Sequence, residues 1–359
     1  MKKLALFGIS LLFTTLTFSQ NLVPNPGFET CYKKPVRWSG HAGHFNSISQ
    51  KWMSPNQGSP DVIWEESMHS LFPKRKGISF EGHEARSGDK MIGIKTYGCK
   101  SGIMQCREYI EVKLEERLIP CATYYLEFWL NPVANSIRVN NFGAAVLDTP
   151  YIEPYAELLD GVNLVLNEEH IVDGKPNEWQ KVSGSFVANS PALFLMIGNF
   201  FNDDETLAKK LPGSIPYSFY LLDDVLLRRE PGTYDMSCLL QQPSGTVFSL
   251  EEVYFDHNQH TIQSGSFPVL EDLAGILLEN PGLSIELHGH TDDTGSTTFN
   301  QELSERRAAA VSAFLVTKGV APTRLSTKGF GATKAVAENT DEAGRQLNRR
   351  VEVKIIQQD

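Results

Sequence analysis

The chain has 359 residues, 41% of them hydrophobic, which is ordinary for a globular protein and long enough for two or three domains with sizeable cores. Its formal charge of −10 makes it a poor binder of nucleic acid or anionic membrane by bulk electrostatics, so an anionic partner must be held by local groups. Five cysteines allow two disulfides and one spare thiol in an oxidising compartment, and none shows the Cys-x-x-Cys spacing of a zinc site.

Lys2 and Lys3 precede an apolar run over residues 4–13 and a modest cleavage region ending at Gln20, the pattern of a secretory signal over residues 1–20. The run is too short to span a bilayer comfortably, and no lipobox surrounds Cys31, the first cysteine after it. Removing residues 1–20, with two lysines and no acid, takes the formal charge from −10 to −12. Residues 38–64 carry Trp, Gly and His with little period. Seven short, often alternating segments follow at 90–96, 107–112, 123–130, 141–147, 179–186, 192–197 and 219–227, separated by Gly, Pro, Asn and Asp. They predict an all-β sandwich or jelly roll over residues 21–232. Trp38, Trp52 and Trp64 lie outside the periodic segments and are candidates to stack on sugar, whereas Trp129 and Trp179 sit in strands and are expected in the core. Cys99 and Cys106 are the most local pair of cysteines. A turn-rich stretch, residues 233–245, contains Cys238 and reads as a linker.

Residues 246–359 alternate strand and helix. Strands are predicted at 250–255, 284–288, 324–329 and 349–356, and helices at 266–279, 299–318 and 342–348. This is an α+β domain with helices on one face of a mixed four-stranded sheet. Thr298 stands three residues before Gln301, the spacing of a capping box. Leu303, Val311, Phe314 and Leu315 share one face of the long helix, and Arg307 falls on that face. A guanidinium in an apolar stripe must be offset by a fixed anion, and Asp292 is the nearest in sequence. The two residues either clamp a zwitterion, with Asp292 taking an ammonium and Arg307 a carboxylate, or pair with each other to fix the loop. Spacing does not choose between them. His288 and His290 with Asp292 and Asp293 can be read as a metal cluster, but no second shell is identifiable and a metal is not expected there. No nucleophile elbow accompanies them, so a non-catalytic domain is expected.

The run Gly289 to Asp292, then Asn300-x-x-Leu303-Ser304-x-x-Arg307-Ala308, Gly319-Val320, Arg324-Leu325, Gly329-Phe330-Gly331, Asn339, Gly344-Arg345 and Asn348-Arg349-Arg350-Val351 resembles the C-terminal peptidoglycan-binding domain of the OmpA family. The resemblance implies a binding domain that grips the diaminopimelate of the peptidoglycan stem peptide, with Asp292 and Arg307 as principal ligands. It also implies that Asp256 and Asn300 line the pocket and that Arg350 contributes, with Arg349 solvated. The expected setting is the periplasm, in contact with the wall and the outer membrane.

The opening Asn21 to Glu29, the segment Ala85 to Met91, the segment Glu178 to Val182 and the closing Tyr220 to Val225 resemble galactose-binding-like modules, the jelly rolls of many carbohydrate-binding modules. That resemblance implies Glu29 and Asp224 as candidate ligands of a structural calcium, with Asp223 and Asp89 behind them. Outer-membrane proteins or glycans are the partners expected for this module, and a glycan-binding or adhesin role with the C-terminal domain as tether is the competing expectation.

Overall fold

The computed structural model describes residues 20–35, 38–39, 41–68, 78–98, 107–152, 164–235, 238, 242–250, 253–256 and 258–357. Residues 1–19 of the expected signal, and Cys99 with Cys106, lie outside the described residues.

All seven expected segments of the N-terminal region are strands. The longest regular one, Ala122–Pro132, shows why: Ala122, Tyr124, Leu126, Phe128 and Leu130 alternate inward, the two-residue period of a strand buried on one face. Two five-stranded antiparallel sheets result. One runs in the order Trp52–Met53, Ile110–Lys113, Phe194–Asn199, Phe142–Leu147, Leu164–Asn167. The other runs Asp61–Trp64, Lys90–Ile94, Tyr220–Tyr234, Ala122–Pro132, Gln180–Val187. A shared apolar cluster takes Ile110, Val112, Leu195 and Ile197 from the first and Leu126, Phe128, Leu130 and Leu222 from the second. Each such buried side chain contributes about 1.5–3 kcal/mol of transfer free energy, which is what holds the sheets to one core.

The tryptophans depart from expectation. Trp52 is 1% exposed and donates its Nε1 to Asn25 O at 3.0 Å, so it is a core residue. Trp38 stacks on Phe80 and packs into a second apolar cluster. Trp64 carries Lys34 Nζ 3.5 Å from its ring centroid and donates to Asp89. Trp129, expected inside, points away from the core and is covered by Arg86.

The Tyr220–Tyr234 strand runs past the boundary expected at 232. The turn-rich stretch after it is fastened to the first region: Cys238 is disulfide-bonded to Cys121, and Gln242 Nε2 donates to Asn189 O at 3.0 Å. Cys31 is a free, half-buried thiol.

The C-terminal region is a mixed four-stranded sheet in the order Val247–Leu250, Val351–Gln357, Ser284–Gly289, Leu325–Gly329, with the last two parallel. The Phe267–Glu279 and Thr297–Thr317 helices bury Leu270, Leu273, Ala308, Val311 and Leu315 against Ile285, Leu287, Val351 and Val353. The first strand lies earlier than its predicted span, and Phe255 instead forms an isolated bridge with Ile262. The long helix is capped by Ser296, whose Oγ accepts from Phe299 N. Gln301, expected in a capping box with Thr298, reaches Gly329 O at 3.0 Å. Among the described residues no helix is long and apolar enough to cross a membrane.

Candidate functional site

The site forms where the Ser284–Gly289 strand and the Thr297–Thr317 helix come almost into backbone contact. A Cβ on Gly289 would lie 2.0 Å from Ser304 O, so only glycine admits this approach. The loop between them is folded by its own side chains: Thr294 N donates to Asp292 Oδ1 at 2.9 Å, and Asn300 Nδ2 donates to Asp292 O at 3.2 Å. Helical spacing then sets Asn300, Leu303 and Arg307 along one buried stripe. A cavity of about 490 Å³ opens there, lined among others by Phe255, Asp292, Asn300, Arg307, Arg345 and Arg349.

Asp292 and Arg307 meet on this cavity but do not pair. The Asp292 carboxylate is taken by Arg349, whose Nη1 donates to Oδ2 at 2.7 Å. Arg307 is 4% exposed; its Nε donates to Gln259 O at 3.1 Å and its guanidinium carbon lies 4.9 Å from the Phe255 ring centroid. Among the described residues no carboxylate forms an ion pair with it. Burial and the charge of Arg349 press the Arg307 guanidinium down to about 10, with Asp292 pulling the other way, so it stays charged at neutral pH. Burial raises the Asp292 carboxyl, but the hydrogen bonds from Arg349 and Thr294 outweigh it and hold the group below its ordinary range. The cavity lining sets three arginines, Arg307, Arg345 and Arg349, against two carboxylates, Asp292 and Glu342. Such a surface takes an anion on Arg307 while Asp292 offers an acceptor.

Of the expected residues, Asp292, Asn300 and Arg307 converge on the cavity. Asp256 neighbours the lining residue Phe255 but is not on the lining, and its Oδ1 lies 3.4 Å from Gln263 Nε2. Arg350 and Arg349 exchange the places expected of them. Arg350 donates from Nε to Glu352 Oε1 at 2.9 Å and from Nη2 to Lys334 O at 3.0 Å, away from the cavity, while Arg349 lines it. The signal for this lay in the last strand. Val351, Val353 and Ile355 face the helices, so Arg350 shares the other face with Glu352. Arg345 and Glu342, from the Glu342–Asn348 helix, also line the cavity; nothing in their spacing distinguished them from an exposed ion pair.

Glu29 and Asp224, the candidate calcium ligands, both reach the loop at Arg86 to Lys90, but each already holds protein donors. Glu29 Oε1 accepts from Asp89 N and Lys90 N, with Lys90 Nζ 3.3 Å from Oε2. Asp224 binds Arg86 and accepts from Ser87 Oγ at 2.6 Å. Arg86 and Lys90 thus pair with the carboxylates of this loop. Asp223 is buried and accepts from Arg86 N at 3.0 Å, and Asp89 pairs with Lys90.

Residues 254–349 match the OmpA family. Outer membrane porin F of Pseudomonas fluorescens is 40% identical over 114 residues, covering 32% of this chain and 35% of its own length. The peptidoglycan-associated lipoprotein of Buchnera aphidicola is 35% identical over 98 residues, covering 27% of this chain and 57% of its own. The chain thus spans less than two thirds of these curated relatives. The crystal structure of the peptidoglycan-associated lipoprotein from Burkholderia pseudomallei is 32% identical, with a TM-score of 0.28, and covers 29% of this chain and 87% of that one. The arginines and carboxylates that build the cavity belong to an OmpA-family domain spanning residues 254–349.

Proposed function

We propose that the C-terminal domain binds peptidoglycan non-covalently by gripping the diaminopimelate of the stem peptide, and that it holds the N-terminal β-sheet region at the wall and outer membrane as an interaction module. The observation that carries this reading is the buried Arg307, whose charge no carboxylate of the described residues pairs. A diaminopimelate centre is a zwitterion: its carboxylate takes the Arg307 guanidinium, and its ammonium takes Asp292, which Arg349 keeps ionised and oriented. Asn300 holds the loop that presents Asp292. The work is binding rather than bond-breaking. A relative named as peptidoglycan-associated supports it, and on this reading the domain acts in the periplasm. Wall attachment is favoured over a sugar-binding module because Trp52 is buried and Lys34 covers Trp64, leaving neither as an open stacking face.

Co-sedimentation of the full chain with purified diaminopimelate-type sacculi tests the proposal. Wild type is expected in the pellet, and Arg307→Ala or Asp292→Ala in the supernatant, because losing one buried charged contact costs roughly 2–5 kcal/mol. Wild type remaining in the supernatant, or folded variants that still pellet, would refute it.

A further inference from the structure

Two histidines that the cavity does not use meet a carboxylate from another strand. His288 is paired directly with Glu352 across the Ser284–Gly289 and Val351–Gln357 strands, and His290, two residues on, follows on the same side. One ligand atom from each of the three lies within 4.8 Å of the others. His290 Nε2 is 3.1 Å and His288 Nδ1 3.8 Å from the same atom, Glu352 Oε2. His290 is 2% exposed, yet neither of its ring nitrogens makes a hydrogen bond, the approach of Nε2 to Glu352 being close but misaligned. A buried polar group left in this state is costly, and a shared ion would relieve it at Nε2.

We propose that His288, His290 and Glu352 form a binding site for a divalent transition ion of the zinc type, separate from the peptidoglycan cavity. Two imidazole nitrogens and one carboxylate oxygen are the donor set that suits such an ion, and three protein ligands leave a position for water. The surroundings orient each ligand. His288 Nε2 lies 2.6 Å from Glu286 Oε1; with the proton on Nε2, the lone pair of Nδ1 is turned to the site, the support that metal-bound histidines commonly have. Arg350 occupies Glu352 Oε1 through Nε at 2.9 Å and Nη2 at 2.6 Å, which leaves Oε2 for the ion. The His290 ring stacks on Phe330 with centroids 5.2 Å apart. The other charges nearby are Lys354, 3.9 Å from Glu286, and Lys328, over Phe330. With Arg350 they weaken the site relative to one built from carboxylates alone. The third ligand is thus Glu352, not the Asp292 or Asp293 adjacent to the histidines in sequence.

Titration of the full chain with Zn²⁺, and with Co²⁺ as a visible-absorbing probe, decides the matter. One ion per chain is expected, with Glu286→Gln lowering affinity about 10- to 100-fold as loss of a supporting carboxylate does, and Glu352→Gln or His290→Phe lowering it further. No binding by wild type at sub-millimolar Zn²⁺ overturns the proposal, and so does binding that survives in folded Glu352→Gln or His290→Phe. Should those variants unfold, imidazole NMR signals of the wild type decide: selective Co²⁺ effects on His288 and His290 support the site, and effects confined to other histidines refute it.

Discussion

Arg307 sits on the stripe of Leu303 and Val311, where packing alone would select an apolar residue, and its guanidinium lines the cavity. If its role is to hold a carboxylate by two parallel hydrogen bonds, charge is not enough; the planar fork matters. Arg307→Lys keeps the charge and loses the fork, so affinity for a diaminopimelate-containing stem peptide should fall by about 1.5–3 kcal/mol, on the order of 10- to 100-fold. Arg350→Lys should leave that affinity near wild type, since Arg350 faces Glu352 and Lys334. Calorimetric titration of the full chain with the stem peptide checks both. Wild-type affinity in Arg307→Lys would mean that charge, not the planar fork of Arg307, governs binding.

At the level of elements, the cavity depends on how closely the Thr297–Thr317 helix approaches the strand ends. Gly289→Ala would drive a Cβ onto Ser304 O, a backbone atom that cannot swing away. It should therefore cost more than the roughly 1–3 kcal/mol usual for overpacking and lower the melting point of the domain, with loss of ligand binding. Gly275, inside the Phe267–Glu279 helix, has open space where a Cβ would lie, with nothing within 4 Å, and Gly275→Ala should stabilise by about 0.5–1 kcal/mol. Calorimetric melting of both variants reads the contrast; an unchanged Gly289→Ala would show that the contact relaxes freely. The same elements show what the sequence made legible. Strands long enough to display a period, such as Ala122–Pro132, were readable, whereas Trp52–Met53 and Ala208–Lys209 offer only two residues and no period. Arg307 was legible because a charged group in an apolar pattern has to be explained, Asp292 as the nearest anion in sequence, and Asn300 only through the family resemblance. The break in the strand at Asp224 was not legible, because its left-handed backbone, φ 47°, interrupts the alternation there. The pairing of Arg349 with Asp292 depends on where two distant elements end, which local pattern does not encode.

At the scale of the whole molecule, two carboxyls of each region carry pH dependences of opposite sense. In the N-terminal region burial pushes the Glu111 carboxyl up to about 7, with the hydrogen bond from Tyr151 N opposing it; burial and the neighbouring Asp224 push Asp223 up to about 7 as well. Both bind a proton more tightly folded than unfolded, so their stabilising contribution is complete below the ordinary carboxylate range and is lost as pH rises through about 7. In the C-terminal region Asp292 and Glu352 are shifted down, so their contribution is present above the ordinary range and is lost as pH falls through it. All five tryptophans lie before residue 180, so indole emission reports the N-terminal region alone. Burial lowers His83 to about 4, which works the other way below the ordinary histidine range, but the two carboxyls together outweigh it, so the melting point should fall between pH 5 and pH 8. Glu111 is 0% exposed; Oε2 accepts from Tyr151 N at 3.0 Å and Oε1 is buried without a hydrogen bond, so the ionised form has little to offset its desolvation. Glu111→Gln retains an acceptor for Tyr151 and cannot ionise. It should stabilise the region by about 1–3 kcal/mol at pH 8, a rise of several degrees, and do little at pH 5. A variant that melts no higher than wild type at pH 8 would show that Glu111 finds solvent or a partner on ionising, and the fall in stability would then rest on Asp223.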